Sequence, residues 1–336
     1  MEKAAVQSNG LLIPLIDFSK FLTGSTPERL TTARAILTGF QTAGFIYLSN
    51  IPITPLTRAR VFRTSAEFFT LSSEEKLKHS WTTPQANRGY SAPGREKVTQ
   101  LTDISAVSSL RSSAPDLKES WEIGRDDEDG HPNHWPAAAS LDFKPVMLDF
   151  FEQCKSLHRE VMRAIAVGMG LDRQDFFDSY VDVGDNTLRL LHYPAVKKSV
   201  FTINPGQVRA GEHSDYGSIT LLFQDQRGGL QVKAPNGKFV DATPMEGTVV
   251  VNAGDLLARW SNDTIKSTIH RVVEPPGGDG EDGEEYPARY SIAYFCNPNF
   301  KSFIEAIPGT YATEAEKKYE GINSGEYLVR RLTATY

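Results

Sequence analysis

Gly211-Glu212-His213-Ser214-Asp215-Tyr216-Gly217-Ser218-Ile219-Thr220-Leu221-Leu222-Phe223-Gln224 is the stretch on which the fold turns. His213 opens a β-rich segment, and Ser218–Gln224 reads as a strand. Residues two apart on an extended strand project from one face, so the His213 imidazole and the Asp215 carboxylate can reach a single ion. Alone, the triplet is weak: 7 histidines and 42 acidic residues placed at random in 336 positions give about 0.9 His-x-Asp/Glu triplets. A second one, His158-Arg159-Glu160, lies in a helical pattern, where residues two apart point about 200° away from each other. It cannot chelate locally.

Downstream and upstream of this stretch the same rhythm repeats. Leu188–Tyr193, Leu230–Lys233, Lys238–Asp241, Thr248–Asn252, Ile265–Val273 and Arg289–Asn297 are further short strands, a series that suggests a β-sandwich or barrel. Pro235-Asn236-Gly237 reads as a hairpin turn, since Asn-Gly tolerates positive φ. His270 arrives on one of these strands. By itself it would read as a core histidine; with His213 and Asp215 it completes a facial triad of the kind that favours Fe(II) in oxygenases. Arg-x-Ser occurs at Arg63, Arg111, Arg259 and Arg289. Only Arg289-Tyr290-Ser291 begins a strand just after the His270 strand and its loop. A guanidinium fork with a hydroxyl beside it on the same strand face is an anchor for a carboxylate.

The earlier part of the chain alternates strand and helix: a strand over Leu12–Phe18, a helix over Pro27–Ala43, a strand over Phe45–Ile51 and a helix over Pro55–Leu71. From Trp81 to Pro136 the residues are rich in Pro, Gly, Ser and Asp and read as long loops with brief ordered pieces, of the kind that form a lid or wall. Helices follow over Phe143–Gly168 and Arg173–Tyr180, and the C-terminal Ala312–Tyr336 reads as helix. Pro276–Glu285, rich in glycine and acid, reads as a surface loop. The expected organisation is an α/β region over 1–135 packed on a core over 136–336, together one compact unit.

Composition excludes several classes. Hydrophobic residues are 40% and charged residues 23% of the chain, the mix of a folded protein. Acidic residues (42) exceed Lys plus Arg (36), and no basic run could track phosphates, so nucleic acid is not an expected partner. With no secretory pattern at the start and no bilayer-length apolar stretch, the expectation is a soluble, cytoplasmic protein without a membrane partner, monomeric or weakly oligomeric. Cys154 and Cys296 read as two buried thiols.

With these residues in place, the chain resembles the Fe(II)/2-oxoglutarate-dependent dioxygenase superfamily, in the branch that includes isopenicillin N synthase and the plant hydroxylases. The resemblance spans nearly the whole chain, through Ile13-Pro14-Leu15-Ile16-Asp17-Phe18, Gly44-Phe45-Ile46-Tyr47, Arg88-Gly89-Tyr90, Leu188-Arg189, His192-Tyr193-Pro194 and Gly228-Gly229-Leu230-Gln231-Val232. It implies a mainly β fold with flanking helices around a distorted double-stranded β-helix, or jelly roll. It implies Fe(II) on His213, Asp215 and His270, and 2-oxoglutarate on Arg289, Ser291 and Tyr193. O2 would be the second cosubstrate, ascorbate a stimulant, and succinate and CO2 the by-products of C–H hydroxylation. One departure is Leu191, where many plant members carry Asn.

Strand periodicity also reaches the substrate side. A strand that turns Tyr193 inward turns Arg189 and Leu191 inward, and Ala293 and Phe295 share the face of Arg289 and Ser291. Tyr216 follows the ligand Asp215. An arginine and two aromatic rings could enclose a flat ring by stacking, although core packing accounts equally well for Tyr216 and Phe295. A buried Arg189 needs a partner, and a planar ligand bearing carbonyls would serve. Asn87, in Asn87-Arg88-Gly89-Tyr90, could add an amide, or simply sit in a solvated turn. The resemblance is strongest to fungal members that oxidise the methyl group of free thymine in steps, a pyrimidine-salvage reaction, and it matches Arg189, Tyr216, Phe295 and Asn87 to substrate contacts. Two alternatives stand beside it: a hydroxylase of a secondary metabolite, and a jelly-roll ligand-binding protein that has lost catalysis.

Overall fold

The computed structural model describes residues 3–97, 99, 115–128, 130–204, 206–274 and 284–335. Its frame is a nine-stranded sheet in the order Lys3–Ser8, Leu11–Asp17, Phe45–Ser49, Val249–Ala253, Ile219–Gln224, Arg289–Cys296, Thr187–Tyr193, Glu119–Ile123 and Gly89–Ser91. A four-stranded sheet, Phe239–Asp241, Leu230–Lys233, His270–Val272 and Ala210–His213, forms the second layer of the jelly roll. The nearly all-antiparallel pairing explains why short strands joined by turns read as a sandwich. At the hairpin expected over Pro235–Gly237, Ala234 N–H donates to Lys238 O at 2.7 Å and Gly237 takes φ 81°.

Strand alternation divides the interior in two. Leu188, Leu190, Ile292, Tyr294, Val249 and Val251 pack in one buried cluster with the helices. Leu191, Tyr193, Ala293 and Val250, one residue out of phase on the same strands, pack in the other, with Leu230, Val232 and Ala210 of the smaller sheet. The helix Phe143–Met169 drives the first cluster through Phe143, Met147, Phe150, Cys154, Leu157 and Val161, a stripe at helical spacing. Phe150 meets Phe223 edge-on at 5.2 Å, and Phe151 meets Tyr294 at 5.1 Å. His158 is fully buried on this helix, its Nε2 3.1 Å from Ser218 Oγ, and among the described residues it joins no group of possible metal ligands. Cys154 and Cys296 are free and buried.

Several boundaries differ from the sequence reading. The brief ordered pieces expected among the loops from Trp81 to Pro136 include two strands of the large sheet, Gly89–Ser91 and Glu119–Ile123. The second lacks a strand signature because its burial is complete on both faces while Glu119, Ser120 and Glu122 are polar. The helix expected over Arg173–Tyr180 is regular only at Asp178–Val181, and the strand expected over Ile265–Val273 only at His270–Val272. At the C-terminus the helix begins at Ser324, preceded by a 3-10 turn at Glu314–Glu316 and a short strand at Ile322–Asn323. Most of the loop expected over Pro276–Glu285 lies outside the described residues; Glu285 and Tyr286 pair with Lys197 and Val196. Among the described residues no helix is long and apolar enough to cross a membrane.

Candidate active site

The structure brings His213, Asp215 and His270 together between the two sheets. The histidines are register partners on adjacent antiparallel strands, with ring centroids 4.3 Å apart. Their Nε2 atoms lie 3.8 Å and 3.7 Å from Asp215 Oδ1, and one candidate ligand atom from each residue lies within 4.8 Å of the others. Backbone carbonyls orient the rings: His213 Nδ1 is 2.8 Å from Gly211 O, and His270 Nδ1 is 3.2 Å from Thr268 O. A carbonyl only accepts, so each Nδ1 carries the proton and each Nε2 keeps its lone pair for a metal.

Asp215 is fixed in the same way. Its Oδ2 accepts from Thr220 Oγ1 at 2.6 Å and from Asn252 Nδ2 at 2.7 Å, which leaves Oδ1 toward the histidines. Thr220 and Asn252 are themselves register partners on neighbouring strands. Burial acts to raise the Asp215 carboxyl, and the charge that His270 and His213 carry when protonated, with these two donors, outweighs it and holds it below the usual carboxylate range. Burial keeps the His213 imidazole neutral. Two imidazole nitrogens and one carboxylate oxygen on a common side form a donor set that fits Fe(II) with positions left open.

Against this cluster lies a buried cavity of about 60 Å³ whose walls include Tyr193, Arg289 and Ser291. Arg289 is 1% exposed and braced on three sides: Nε donates to Gly228 O at 2.8 Å, Nη1 to Ser291 Oγ at 3.1 Å and Nη2 to Gln224 Oε1 at 3.2 Å. Its guanidinium carbon lies 4.8 Å over the Tyr193 ring. The turn that delivers the Gly228 carbonyl needs its glycines: Gly229 has φ 88°, and a Cβ there would meet Val273 O at 2.7 Å.

A second cavity, about 250 Å³, is lined by Asn87, Arg189, Tyr216 and Phe295 and reaches His213 and Asp215. The four side chains expected on the substrate side therefore share one space, and two of them also have partners within the protein. Arg189, expected to await a carbonyl-bearing ligand, pairs with two buried carboxylates, Glu96 Oε1 at 3.0 Å and Glu122 Oε1 at 2.8 Å, and lies 5.3 Å over the Phe295 ring. Asn87 is engaged at both ends of its amide, accepting from Trp81 Nε1 at 2.9 Å and donating to Thr187 Oγ1 at 3.2 Å. With φ 47° it shapes the loop. Its neighbour Arg88 is likewise paired, with Glu128 Oε2 at 2.5 Å, and Tyr90 hydrogen-bonds Glu119.

Tyr216 is held by a partner that the sequence reading does not assign to the site, the C-terminal helix Ser324–Thr335. Tyr216 OH lies 2.7 Å from Thr335 Oγ1, and the Arg331 guanidinium sits 4.2 Å over the ring. Arg331 is anchored by Asp255 Oδ2 at 2.5 Å. Leu328 and Leu332 of this helix close the same cavity. Their spacing of four is a helical stripe visible in the sequence, but nothing local says which surface it covers.

The chain matches the family model described as the non-haem dioxygenase in morphine synthesis N-terminal over residues 13–138, and that of the 2OG-Fe(II) oxygenase superfamily over residues 184–298. It is 72% identical to full-length Neurospora crassa thymine 7-hydroxylase crystallised with alpha-KG, that is 2-oxoglutarate, and thymine. That match has a TM-score of 0.92 and covers 99% of this chain and 100% of the other. Against the same protein with alpha-KG and 5-formyluracil the identity is 68% and the TM-score 0.90, with both chains fully covered (100%). The 2-oxoglutarate-Fe(II) type oxidoreductase ppzD of Metarhizium rileyi is 34% identical, over 96% of this chain and 90% of its own length.

Proposed function

We propose that this chain, which belongs to the 2OG-Fe(II) oxygenase superfamily and is a 2-oxoglutarate-dependent dioxygenase, hydroxylates the methyl group of free thymine and carries it on to 5-formyluracil and 5-carboxyuracil. Fe(II) and 2-oxoglutarate are its metal and cosubstrate. When bound, they supply the O2 activation and oxidising power for C–H hydroxylation, with release of succinate and CO2. His213, Asp215 and His270 would hold the metal, and Arg289, Ser291 and Tyr193 would receive the cosubstrate carboxylate.

The observation that carries the substrate reading is the 250 Å³ cavity that reaches His213 and Asp215 and has Tyr216, Phe295 and Arg189 in its walls. A volume below the usual range for drug-sized ligands suits a small planar molecule, and aromatic faces suit a flat ring. The charge of Arg189 is already met by Glu96 and Glu122, so the wall offers hydrogen bonds to a neutral base without demanding an anion. The high identity to a protein crystallised with thymine supports the same reading. The cavity wall acts by positioning and by excluding water, so that the substrate methyl group is placed beside the metal ligands.

The fungal oxidoreductase at 34% identity, whose name gives no substrate, is the reason to carry a secondary metabolite as the second reading. A small cavity closed by Leu328 and Leu332 weighs against bulky metabolites, and the intact triad weighs against a binding protein without catalysis. The test is product analysis by mass spectrometry with purified protein, Fe(II), 2-oxoglutarate and thymine, 5-hydroxymethyluracil or 5-formyluracil as separate substrates. Each should be consumed with matching succinate; absence of thymine-dependent succinate would refute the thymine reading.

A further inference from the structure

Strand register places a polar row on the cavity side of the large sheet. Ser120 stands opposite Leu191 and Glu122 opposite Arg189. Lys118, two residues before Ser120, continues that row and is itself a wall of the 60 Å³ cavity that contains His213, Asp215, Arg289 and Ser291. Its side chain is 4% exposed. The ammonium donates to Glu96 Oε2, while Glu96 Oε1 takes Arg189 Nη1 at 3.0 Å. One carboxylate thus serves two buried cations. The second carboxylate of the group, Glu122, pairs with Arg189 at 2.8 Å, and Asp116, bonded to Lys97 at 2.9 Å, adds its negative charge beside Lys118.

A buried ammonium is costly, and a hydrophobic side chain would fill the same place at less cost unless the charge were used. An ammonium also has three donors, and its hydrogen bond to Glu96 uses one. The cavity it faces is the one we read as the site of a dicarboxylate. We propose that Lys118 is a second cosubstrate-binding residue, its ammonium shared between Glu96 and a carboxylate of 2-oxoglutarate. The proposal rests on the reading of that cavity as the cosubstrate site and not on thymine as the substrate. Because Glu96 also holds Arg189, which lines both cavities, Lys118 ties the cosubstrate site to the wall of the substrate site.

The test titrates 2-oxoglutarate calorimetrically into the full chain loaded with Fe(II) under anaerobic conditions, without any pyrimidine, so its outcome is separate from that of the thymine assay. Lys118→Met should weaken 2-oxoglutarate binding about 10- to 100-fold, the effect of losing one charge-assisted hydrogen bond. Since this change strips Glu96 of a buried partner, Lys118→Met/Glu96→Gln is titrated alongside, with circular dichroism to verify folding; it should show a loss of the same order. Repeating the titrations with 2-oxovalerate, which lacks the distal carboxylate, locates the contact. A loss that persists places Lys118 on the carboxylate at the metal end, and a loss that disappears places it on the distal one. Fe(II) affinity in the absence of cosubstrate should stay within about twofold of wild type. Wild-type affinity for 2-oxoglutarate in either folded variant, or an equal loss of Fe(II) affinity, would overturn the proposal.

Discussion

At the metal end, the cavity wall is made of paired strands; at the substrate end it is made of a loop, a buried ion cluster and the last helix. His213 and His270 face each other across one ladder, Thr220 and Asn252 across another, and Arg289 and Tyr193 across a third. Every position there is fixed by backbone hydrogen bonds, which tolerate little movement. At the other end Arg189 is held by Glu96 and Glu122, and Tyr216 by Thr335 and Arg331, through side chains drawn from segments distant in sequence. The half built on ladders is where we propose that metal and cosubstrate sit, and the assembled half can be altered one side chain at a time.

Substitutions can break or sharpen that contrast. The largest effect should come from Asp215→Ala, which removes a donor from the triad. Turnover should fall by well over ~100-fold, since loss even of outer-shell partners costs 10–100-fold, and the visible charge-transfer band of the Fe(II)–2-oxoglutarate complex should not form. Arg289→Lys should come next, raising the 2-oxoglutarate concentration for half-maximal rate by about 10-fold or more, because Lys lacks the fork. Fe(II) affinity measured without cosubstrate should not change. At the assembled end, Arg331→Met should raise the KM for thymine about 3- to 10-fold by freeing the Tyr216 ring and the helix end, with 2-oxoglutarate binding unaltered. If it weakened both ligands equally, the two ends would not be separable. The smallest change, Tyr216→Phe, removes only the hydrogen bond to Thr335 and should shift the KM for thymine by no more than about fivefold.

The same contrast explains what the sequence can reveal. His213 closes the strand Ala210–His213 and Asp215 lies just past its end, so that pair meets without sharing the strand the sequence reading gave it, and His158 is set aside because it sits on a helix. Arg289 with Ser291 is legible because a period of two on one strand forces their side chains to a common face. Arg189, Leu191, Phe295 and Ala293 follow from the same rule. Glu122 does not, since a strand that turns polar residues into a cavity lacks the apolar alternation by which strands are recognised, and Lys118 and Glu96 lie outside the strands, where no period places them. Without those partners in view, the sequence reading gives Arg189 a ligand in their place. Asn87 reads as a contact to substrate from its residue type and position, and its hydrogen bonds to Trp81 and Thr187, which add a structural role, are not visible in the sequence. The C-terminal helix is expected, but its start at Ser324 and its seat over Tyr216 depend on tertiary contacts alone.

The claim that joins the two ends is that thymine occupies the space beside the metal ligands. Thymine titrated anaerobically into protein loaded with Fe(II) and 2-oxoglutarate tests it without turnover. The charge-transfer band should form with 2-oxoglutarate alone and then shift saturably as thymine is added. A band that forms and stays unmoved by thymine at any concentration would contradict the account.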